Sequence, residues 1–345
     1  RRRFRLLEQG ADLQAAVEHA EQAVAATPDG GQRARRYHDL AVTLSMRHRH
    51  GGDPSDLDAA VATFTSALAA AAPDERLRYA PDLARAFRLR YERDGDPADL
   101  DGWISAAASA AGSAASGWSG LPEVAHLLGV GLLERHERDA NPRDLDAAIN
   151  AYDYGSITAA RTGSALRPAL LVGLGTNLTR RFARTQDPAD LDRAVHAAEA
   201  ALVQLDRGAP LYAAGLALLG HATHLRCSAS GRRSDLDRAI TAYQRLVALA
   251  GTASDDRVAH LTELAACLSA RAQATGELND LLAAVDAYTR AADIATGPDQ
   301  RGVVLTGLGA AWTAVYERTG EPQYLSNAVA AQEAATREAA SPNPR

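Results

Sequence analysis

Cysteine is scarce in this chain of 345 residues, which contains Cys227 and Cys267 and no others. Two cysteines are too few for the disulfide framework that holds many small secreted domains together, and they suit a reducing compartment. We expect both to be small apolar residues of the core. The scarcity therefore favours a cytoplasmic protein.

Long apolar runs and an excess of positive charge are also missing. No stretch approaches the roughly 20 apolar residues that a helix needs to cross a bilayer, and the opening Arg1–Arg5 lacks the apolar segment of a signal peptide. Thirty-seven basic residues against 43 acidic ones give a net charge of −6, whereas nucleic-acid-binding domains usually carry a basic excess. We expect neither a membrane nor a nucleic acid as a direct partner.

Ala and Leu supply most of the 46% hydrophobic content, while aromatic residues make up 5%. Both are strong helix formers, so this composition favours an all-α protein. One phrase, Asp187–Val195, recurs through the chain, and its anchor leucine has equivalents every 43 to 46 residues. The anchors are Leu13, Leu57, Leu100, Leu145, Leu191, Leu236, Leu281 and Leu325.

A period this steady is typical of stacked repeat proteins, in which each unit contacts mainly its neighbours. It predicts one right-handed α-solenoid of antiparallel helix pairs over residues 1–345, with a period of about 45 residues and a truncated first repeat. Because the chain starts inside a repeat, we expect it to be a segment of a longer protein. The least regular unit contains Gly102 and Trp103, so residues 102–120 are where we expect any bend of the solenoid.

Each repeat divides into a helix A and a helix B. Helix A carries a leucine 17 residues before each anchor, followed by a small residue that allows a close approach of a neighbouring helix. Helix B begins at a tight corner, where Asp or Asn followed by Pro forms an N-cap and a first helical residue. The acid three residues after that cap resembles the second member of a capping box. An arginine ten residues before most anchors is expected to clasp an aspartate of the corner.

Two metal sites compete with these structural interpretations. Asp-Leu-Asp could hold magnesium through two carboxylates, but it recurs five times at the repeat spacing, which favours a structural role. His221 and His224 precede Cys227 on one helix, and a zinc site would need a fourth ligand converging with them. We expect Cys227 in the core, the histidines at a groove, and no metal or cofactor.

The pairing of Leu with a small residue in helix A, the alanines of helix B and the prolines between repeats resemble tetratricopeptide repeats. Their usual unit is about 34 residues, whereas this one is longer. The longer unit, with the phrases Arg271–Glu277 and Asp190–Ala194, resembles the repeat regions that precede CHAT domains, caspase-like peptidase modules, in large actinobacterial proteins. The resemblance covers essentially the whole chain and implies a sensing or docking arm without peptidase activity of its own.

If helix A lines a concave groove, as in tetratricopeptide solenoids, the exposed positions 22, 19, 15 and 12 residues before each anchor should bind the ligand. The residues predicted to do so are Arg35, His38, Arg85, Arg88, His126, Thr176, Thr179, His221 and His224. This groove would be cationic at its N-terminal end, which suits an acidic peptide or a C-terminal carboxylate. A solvated helix face is the competing interpretation of the same arginines.

The leading hypothesis is a non-enzymatic scaffold of a larger bacterial protein with a CHAT-type effector, binding a protein or peptide in its groove. One alternative is a ligand or peptide sensor of a transcription or signalling regulator, and another is a self-associating scaffold. The sequence leaves the partner and the oligomeric state open.

Overall fold

A computed structural model describes residues 10–28, 30–72, 75–114, 117–249 and 255–340, and these residues form fifteen helices. The helices that carry the anchor leucines, termed B helices, are α1 (Gly10–Ala25), α3 (Pro54–Ala70), α5 (Pro97–Ser113), α7 (Pro142–Thr162), α9 (Pro188–Leu202), α11 (Ser234–Leu249), α13 (Leu278–Ile294) and α15 (Pro322–Ala340). The A helices between them are α2 (Gly31–Gly51), α4 (Arg76–Asp94), α6 (Leu121–Asp139), α8 (Arg167–Thr185), α10 (Pro210–Ser230), α12 (Asp255–Thr275) and α14 (Pro298–Thr319). The predicted all-helical solenoid of helix pairs is confirmed.

The corners between A and B helices follow local backbone chemistry. Gly95, Gly276 and Gly320 adopt the left-handed conformation that ends an A helix, with φ of 69°, 81° and 70°. The next helix then starts at a cap such as Asp187, whose side chain accepts a hydrogen bond from the backbone N–H of Ala189. Asp53, Asp96 and Asn141 cap their helices in the same way. The corner predicted from sequence is confirmed.

The recurring arginine forms the predicted clasp, and this corrects the capping-box interpretation. Its Nε and Nη2 donate to the two oxygens of the acid that precedes the anchor, at 2.5–3.0 Å. The pairs are Arg47–Asp56, Arg90–Asp99, Arg135–Asp144, Arg181–Asp190, Arg226–Asp235 and Arg271–Asp280. These carboxylates are therefore engaged by a guanidinium from helix A. In a capping box they would instead accept the N–H of their own cap residue.

The second aspartate of Asp-Leu-Asp joins one repeat to the next. Nη1 of Arg226 donates to Asp192 of the preceding repeat at 2.9 Å, and Nη1 of Arg271 donates to Asp237 at 2.7 Å. Arg135 reaches Asp101 in the same way at 3.0 Å. Both acids of the motif are thus bound by arginine, which accounts for their spacing without a metal ion.

The last repeat replaces the clasp with apolar residues. Val315 stands where the arginine would be and is fully buried, and Tyr324 stands where the buried aspartate would be. The Tyr324 ring stacks on Trp312 with centroids 5.4 Å apart. Leu282 likewise takes the place of the second aspartate in the repeat before. The arginine and both of its aspartate partners are thus replaced together at this corner, so none of the three leaves a buried charge without its partner.

The small residues of helix A, which the sequence predicts to allow close approach of a neighbouring helix, make room for a large side chain of helix B. A Cβ on Gly129 or Gly173 would lie 2.6 or 2.7 Å from the Tyr152 ring, so the ring fits only because both are glycine. In the irregular unit, α5 runs unbroken through Gly102, which leaves space for the Phe87 ring. Trp103 is fully buried beside it, so the irregular residues there serve packing.

The chain divides into two compact units, Arg1–Gly173 (unit 1) and Leu174–Arg345 (unit 2). In unit 1, α2 contacts α4 and α4 contacts α6, and in unit 2, α10 contacts α12 and α12 contacts α14. Among the described residues of either unit, successive B helices make no such contact. From α2 to α6 in unit 1 and from α10 to α14 in unit 2, the A helices therefore form the more closely spaced layer. We call the layer of A helices the inner layer.

The two cysteines differ in their surroundings. Cys267 is fully buried, and burial raises the pKa of its thiol to about 12. Cys227 is only half-buried, so the expectation that it belongs to the core is wrong in part; burial also raises the pKa of its thiol. No helix among the described residues combines the length and apolar content needed to cross a membrane.

Candidate functional site

The inner layer of unit 1 contains two adjoining pockets, which we call the unit 1 groove. The first, of about 360 Å³, is lined by Arg85, Arg88, Leu89, Glu92, Glu123, His126, Leu127 and Leu166. The second, of about 340 Å³, is lined by Val42, Ser45, Arg49, Phe64, Asp82, Arg85, Ala86 and Leu89. Arg85 and Leu89 of α4 line both pockets, so the groove crosses α4 from α2 to α6 and has apolar walls on both sides of it.

Carboxylates that the sequence analysis did not single out pair with the cations of this groove. Arg85 donates to Asp82 on its own helix and to Glu123 on α6. Asp82 also contacts Nε2 of His38 at 2.8 Å. Burial opposes ionisation of Asp82, but the His38 hydrogen bond and the Arg85 charge outweigh it and lower the pKa of the carboxyl. Hydrogen bonds and ion pairs thus link α2, α4 and α6.

Arg88 and His126 complete the wall of the first pocket. Nε of Arg88 donates to Glu92 at 2.7 Å, and its guanidinium lies 5.6 Å from the centroid of the Trp103 ring. The His126 ring meets Tyr152 edge-on, with centroids 6.1 Å apart. Burial, and then the charge of Arg88, lower the pKa of His126. The imidazole is therefore neutral at neutral pH and offers one donor and one acceptor.

The structure thus brings together three of the five residues predicted in unit 1, Arg85, Arg88 and His126. His38 lies beside the groove, with its ring tilted against that of Tyr79, centroids 4.8 Å apart, and bound to Asp82. Arg35 is exposed and lines neither pocket. The expectation of a cationic N-terminal end needs correction, because Asp82, Glu92 and Glu123 balance the charge there.

In unit 2 the inner layer holds a wider pocket of about 610 Å³, which we call the unit 2 pocket. It is lined by Thr179, Arg180, Phe182, Ala183, Gln186, His221, Leu225, Ser228 and Ala229. Thr179 and His221, both predicted from sequence, lie in it. Thr176 adjoins it and accepts a hydrogen bond from Thr179 through its carbonyl oxygen at 2.8 Å.

The remaining predicted residue, His224, points to α12. Its Nδ1 lies 3.4 Å from Oε2 of Glu263, and this hydrogen bond lowers the pKa of the Glu263 carboxyl. Desolvation of the imidazoles lowers the pKa of His221 and of His260 nearby. Within the part of the chain that the structure describes, no group of three or more His, Cys, Asp or Glu side chains could hold a metal ion.

The residues that sequence reasoning missed had detectable signals. Glu123 occupies the register position of Arg35, 22 residues before its anchor, and so belongs to the predicted groove face. Glu92 follows Arg88 by four residues and Asp82 precedes Arg85 by three, spacings at which side chains on a helix interact. The apolar walls at Leu89 and Phe64 had no such signal, because apolar residues at helical spacing also occur at ordinary core positions.

No model of a known protein family matches the chain, and no curated protein matches it. Among solved structures, it is similar to the MamA protein (17% identity, 63% of this chain and 95% of that one, TM-score 0.41). It is also similar to TPR-like repeats of a putative kinesin light chain from Podosopora anserina (18%, 62% and 96%, TM-score 0.43) and to BtubC from P. vanneervenii (18%, 79% and 95%, TM-score 0.42). At these identities and TM-scores the matches assign neither a family nor a function to this chain. Its fold is established by its own helices.

Proposed function

We propose that the chain is a non-enzymatic interaction scaffold that binds a peptide or protein segment in the unit 1 groove. The proposal rests on one observation: the pockets on the two sides of α4 share Arg85 and Leu89, and together they form a continuous surface of apolar walls and exposed charges. Binding sites of this kind typically occupy 300–1,000 Å³ and combine apolar walls with a few polar groups. One peptide segment can occupy both pockets.

Acidic residues of the ligand can replace the groove's own carboxylates. The side chains of Arg85 and Glu123 are 38% and 49% exposed, and those of Arg88 and Glu92 are 39% and 48% exposed. Exposed ion pairs of this kind contribute about 1 kcal/mol or less, so a ligand carboxylate can take either arginine at little cost. The groove therefore suits a peptide that combines acidic and apolar residues.

A peptide selection tests this proposal. Random peptides displayed on phage are selected on the immobilised protein, and the enriched peptides are labelled and titrated by fluorescence anisotropy. The double variant Arg85→Ala/Arg88→Ala should lose at least about tenfold in affinity, equal to 1.4 kcal/mol, and its binding should depend less on salt. Arg290→Ala is the matched control, since Arg290 is an exposed, ion-paired arginine on the B helix α13. Equal affinity of the double variant and wild type rules out the groove.

The wider setting is also a proposal. We infer that a single solenoid continues through both units, because the repeat period is unchanged across residue 173. We also infer that the protein is bacterial and cytoplasmic and carries a CHAT-type effector domain. The repeat phrases support the effector assignment. Sequencing the gene beyond Arg345 tests it: a CHAT domain supports the scaffold, whereas a DNA-binding domain favours the sensor of a transcription regulator.

Self-association is a second candidate, favoured by the last helix. The anchor Leu325 is 41% exposed, whereas the anchors from Leu13 to Leu281 are at most 4% exposed. Val329, one turn later on the same face, is 50% exposed. If α15 pairs with α15 of a second copy, light scattering should show a dimer that Leu325→Glu/Val329→Glu converts to a monomer. A monomeric wild type excludes this candidate.

A further inference from the structure

One B helix of unit 1, α7, presents large apolar side chains to the solvent. Tyr154 and Ile157 are 42% and 45% exposed. At the corresponding positions, 9 and 12 residues after the anchor, α3 and α5 carry only serine, alanine or glycine. α7 also has 21 residues, against 17 in each of α3 and α5, so one additional turn prolongs its outward face. This face is therefore longer and more apolar than the equivalent face of α3 or α5.

Six residues of α7 lie in one line along this outward face. They follow one another at alternating intervals of four and three residues, which is the spacing of the seam in a coiled coil. Leu145 and Tyr152, on the opposite side of the helix, are buried in the core, so the line points directly away from the core. We call these six residues the α7 seam: Arg143, Ala147, Asn150, Tyr154, Ile157 and Arg161.

The α7 seam has a cation at each end. Among the described residues, none pairs with the guanidinium group of Arg143 or Arg161. Arg143 is the second residue of α7, where a positive charge opposes the helix dipole, whereas α3 and α5 carry serine and alanine at that position. A residue that is locally unfavourable and has no internal partner indicates a contact outside the chain.

The two charges distinguish between possible occupants of the seam. Two copies of α7 paired antiparallel would place Arg143 of one copy opposite Arg161 of the other, and parallel pairing would place each arginine opposite itself. Like charges disfavour both arrangements. A different helix, with an apolar stripe and an acid near each end, matches the seam at every position. Its acids should lie about 27 Å apart, the length of eighteen helical residues. The small exposed side chains of Ser105 and Ser109 on α5 leave room for it.

We propose that the α7 seam binds one amphipathic helix of a partner protein. The apolar stripe of that helix packs on Tyr154 and Ile157, and its two terminal acids pair with Arg143 and Arg161. The two helices then lie side by side, as in a two-stranded coiled coil. Tyrosine and arginine are enriched among the residues that dominate protein interfaces. This inference adds a second binding surface to the scaffold and does not depend on the unit 1 groove.

Two synthetic helical peptides test the proposal. Each contains three heptads with leucine at the central seam positions, and the ends of the seam carry glutamate in one peptide and lysine in the other. Both are labelled and titrated against the whole chain by fluorescence anisotropy, at concentrations where sedimentation shows them to be monomeric. We expect the lysine peptide to bind at least about tenfold more weakly than the glutamate peptide, with a smaller difference at high salt. Equal binding of the two, or no binding of the glutamate peptide, overturns the proposal.

A charge reversal tests the role of the arginines. Arg143→Glu/Arg161→Glu should invert the preference, so that the lysine peptide binds more tightly than the glutamate peptide. A variant that still prefers the glutamate peptide contradicts the assignment of these two residues. Arg85→Ala/Arg88→Ala should bind the glutamate peptide like wild type, which separates this surface from the unit 1 groove.

Removal of the apolar side chains tests the centre of the seam. Tyr154→Ala/Ile157→Ala should weaken binding of the glutamate peptide at least about tenfold, while the circular dichroism spectrum stays unchanged because alanine favours helix. Leu325→Ala/Val329→Ala is the matched control, since it shortens two exposed apolar side chains on the B helix α15, and it should bind like wild type. Retained binding by the α7 variant overturns the proposal. A wild-type dimer that the α7 variant converts to a monomer would assign the seam to a second copy instead.

Discussion

The two units share one internal framework and differ on the surface it carries. In both, a guanidinium from helix A holds two aspartates, as Arg135 does in unit 1 and Arg226 does in unit 2. Above this framework, unit 1 covers its inner layer with paired charges. In unit 2, hydroxyl, amide and imidazole groups and one arginine, Arg180, line an open pocket of the corresponding layer.

The difference shows which positions are free to vary. Most clasp aspartates are buried and each is held by a half-buried or buried arginine, so a change in one requires a change in its partner. The joint change to Val315 and Tyr324 in the last repeat illustrates this. Inner-layer residues such as Arg85 and Arg88 take part in ion pairs whose members are partly exposed, so they can change at little cost to stability. Binding specificity can therefore diverge between the units without loss of the fold.

The largest expected effect comes from breaking a clasp. Arg226→Met removes the guanidinium that holds both oxygens of Asp235, whose side chain is 1% exposed, and leaves only the longer contact with Arg238 at 3.7 Å. Removing one partner of a buried ion pair costs about 3–5 kcal/mol. Urea unfolding followed by circular dichroism measures the loss of free energy of unfolding. Arg135→Met should cost a similar amount in unit 1, because the framework is the same.

A double variant serves as the control for the clasp. Arg226→Val/Asp235→Tyr copies the residues of the last repeat and removes both charges together. It should recover most of the stability lost in Arg226→Met, because replacing a buried ion pair by apolar residues is often close to neutral. If the double variant is no more stable than the single one, the unpaired charge is not the cause of the loss.

The next effect concerns the packing of helix pairs in both units. A Cβ at Gly129 would lie 2.6 Å from the Tyr152 ring, and one at Gly220 would lie 2.8 Å from the Tyr243 ring. Gly129→Ala and Gly220→Ala should each destabilise by about 1–3 kcal/mol through overpacking. Gly112→Ala is the control, since its Cβ meets no atom within 4 Å, and it should stabilise by about 0.5–1 kcal/mol.

Surface charge should matter less to stability than to binding. Arg85→Ala/Arg88→Ala removes ion pairs whose members are all more than 30% exposed, so the free energy of unfolding should fall by about 1 kcal/mol or less. The same denaturation experiment at low and high salt measures the effect. A loss as large as that of Arg226→Met would show that the groove charges belong to the framework.

The smallest effect is a dependence on pH that both units should share. Burial lowers the pKa of His126 and desolvation lowers that of His221, so the folded protein binds these protons less readily than the unfolded chain does. Stability should therefore fall as the pH drops below about 6.5, the ordinary histidine value. Melting temperatures at pH 7 and pH 5.5 should differ less in His126→Gln and in His221→Gln than in wild type. An unchanged pH dependence in both variants contradicts this assignment.

Much of the fold was predictable because its signals are local. Gly95, the cap Asp96 and the anchor Leu100 lie within a few residues of one another. Gly95 adopts a left-handed conformation because it lacks a side chain, Asp96 caps the next helix, and Leu100 is buried. The arginine clasp was also predictable, since it spans nine residues across one corner. The second contact of Arg226, with Asp192 of the preceding repeat, was not, because 34 residues separate the two.

The candidate site was predictable only in part. Register placed Arg85, Arg88 and His126 on one face, and the structure brings them together. Their net charge was wrongly predicted, although Asp82, Glu92 and Glu123 stand at positions that the sequence marks. The pairing of Glu123 with Arg85 was not predictable, because spacing along one helix does not show which residues face it from a neighbouring helix.

By itself the sequence determined the repeat period, the helix pairs, their caps and the residues of each face, since these follow from backbone preferences and helical periodicity. Only the tertiary structure decided which charges pair and where space remains between helices. Glu123 balances Arg85 because α6 packs beside α4, and the unit 2 pocket is lined by Ala183 of α8 and Ser228 of α10. Both depend on distances between residues far apart in the chain, which packing of the whole repeat sets.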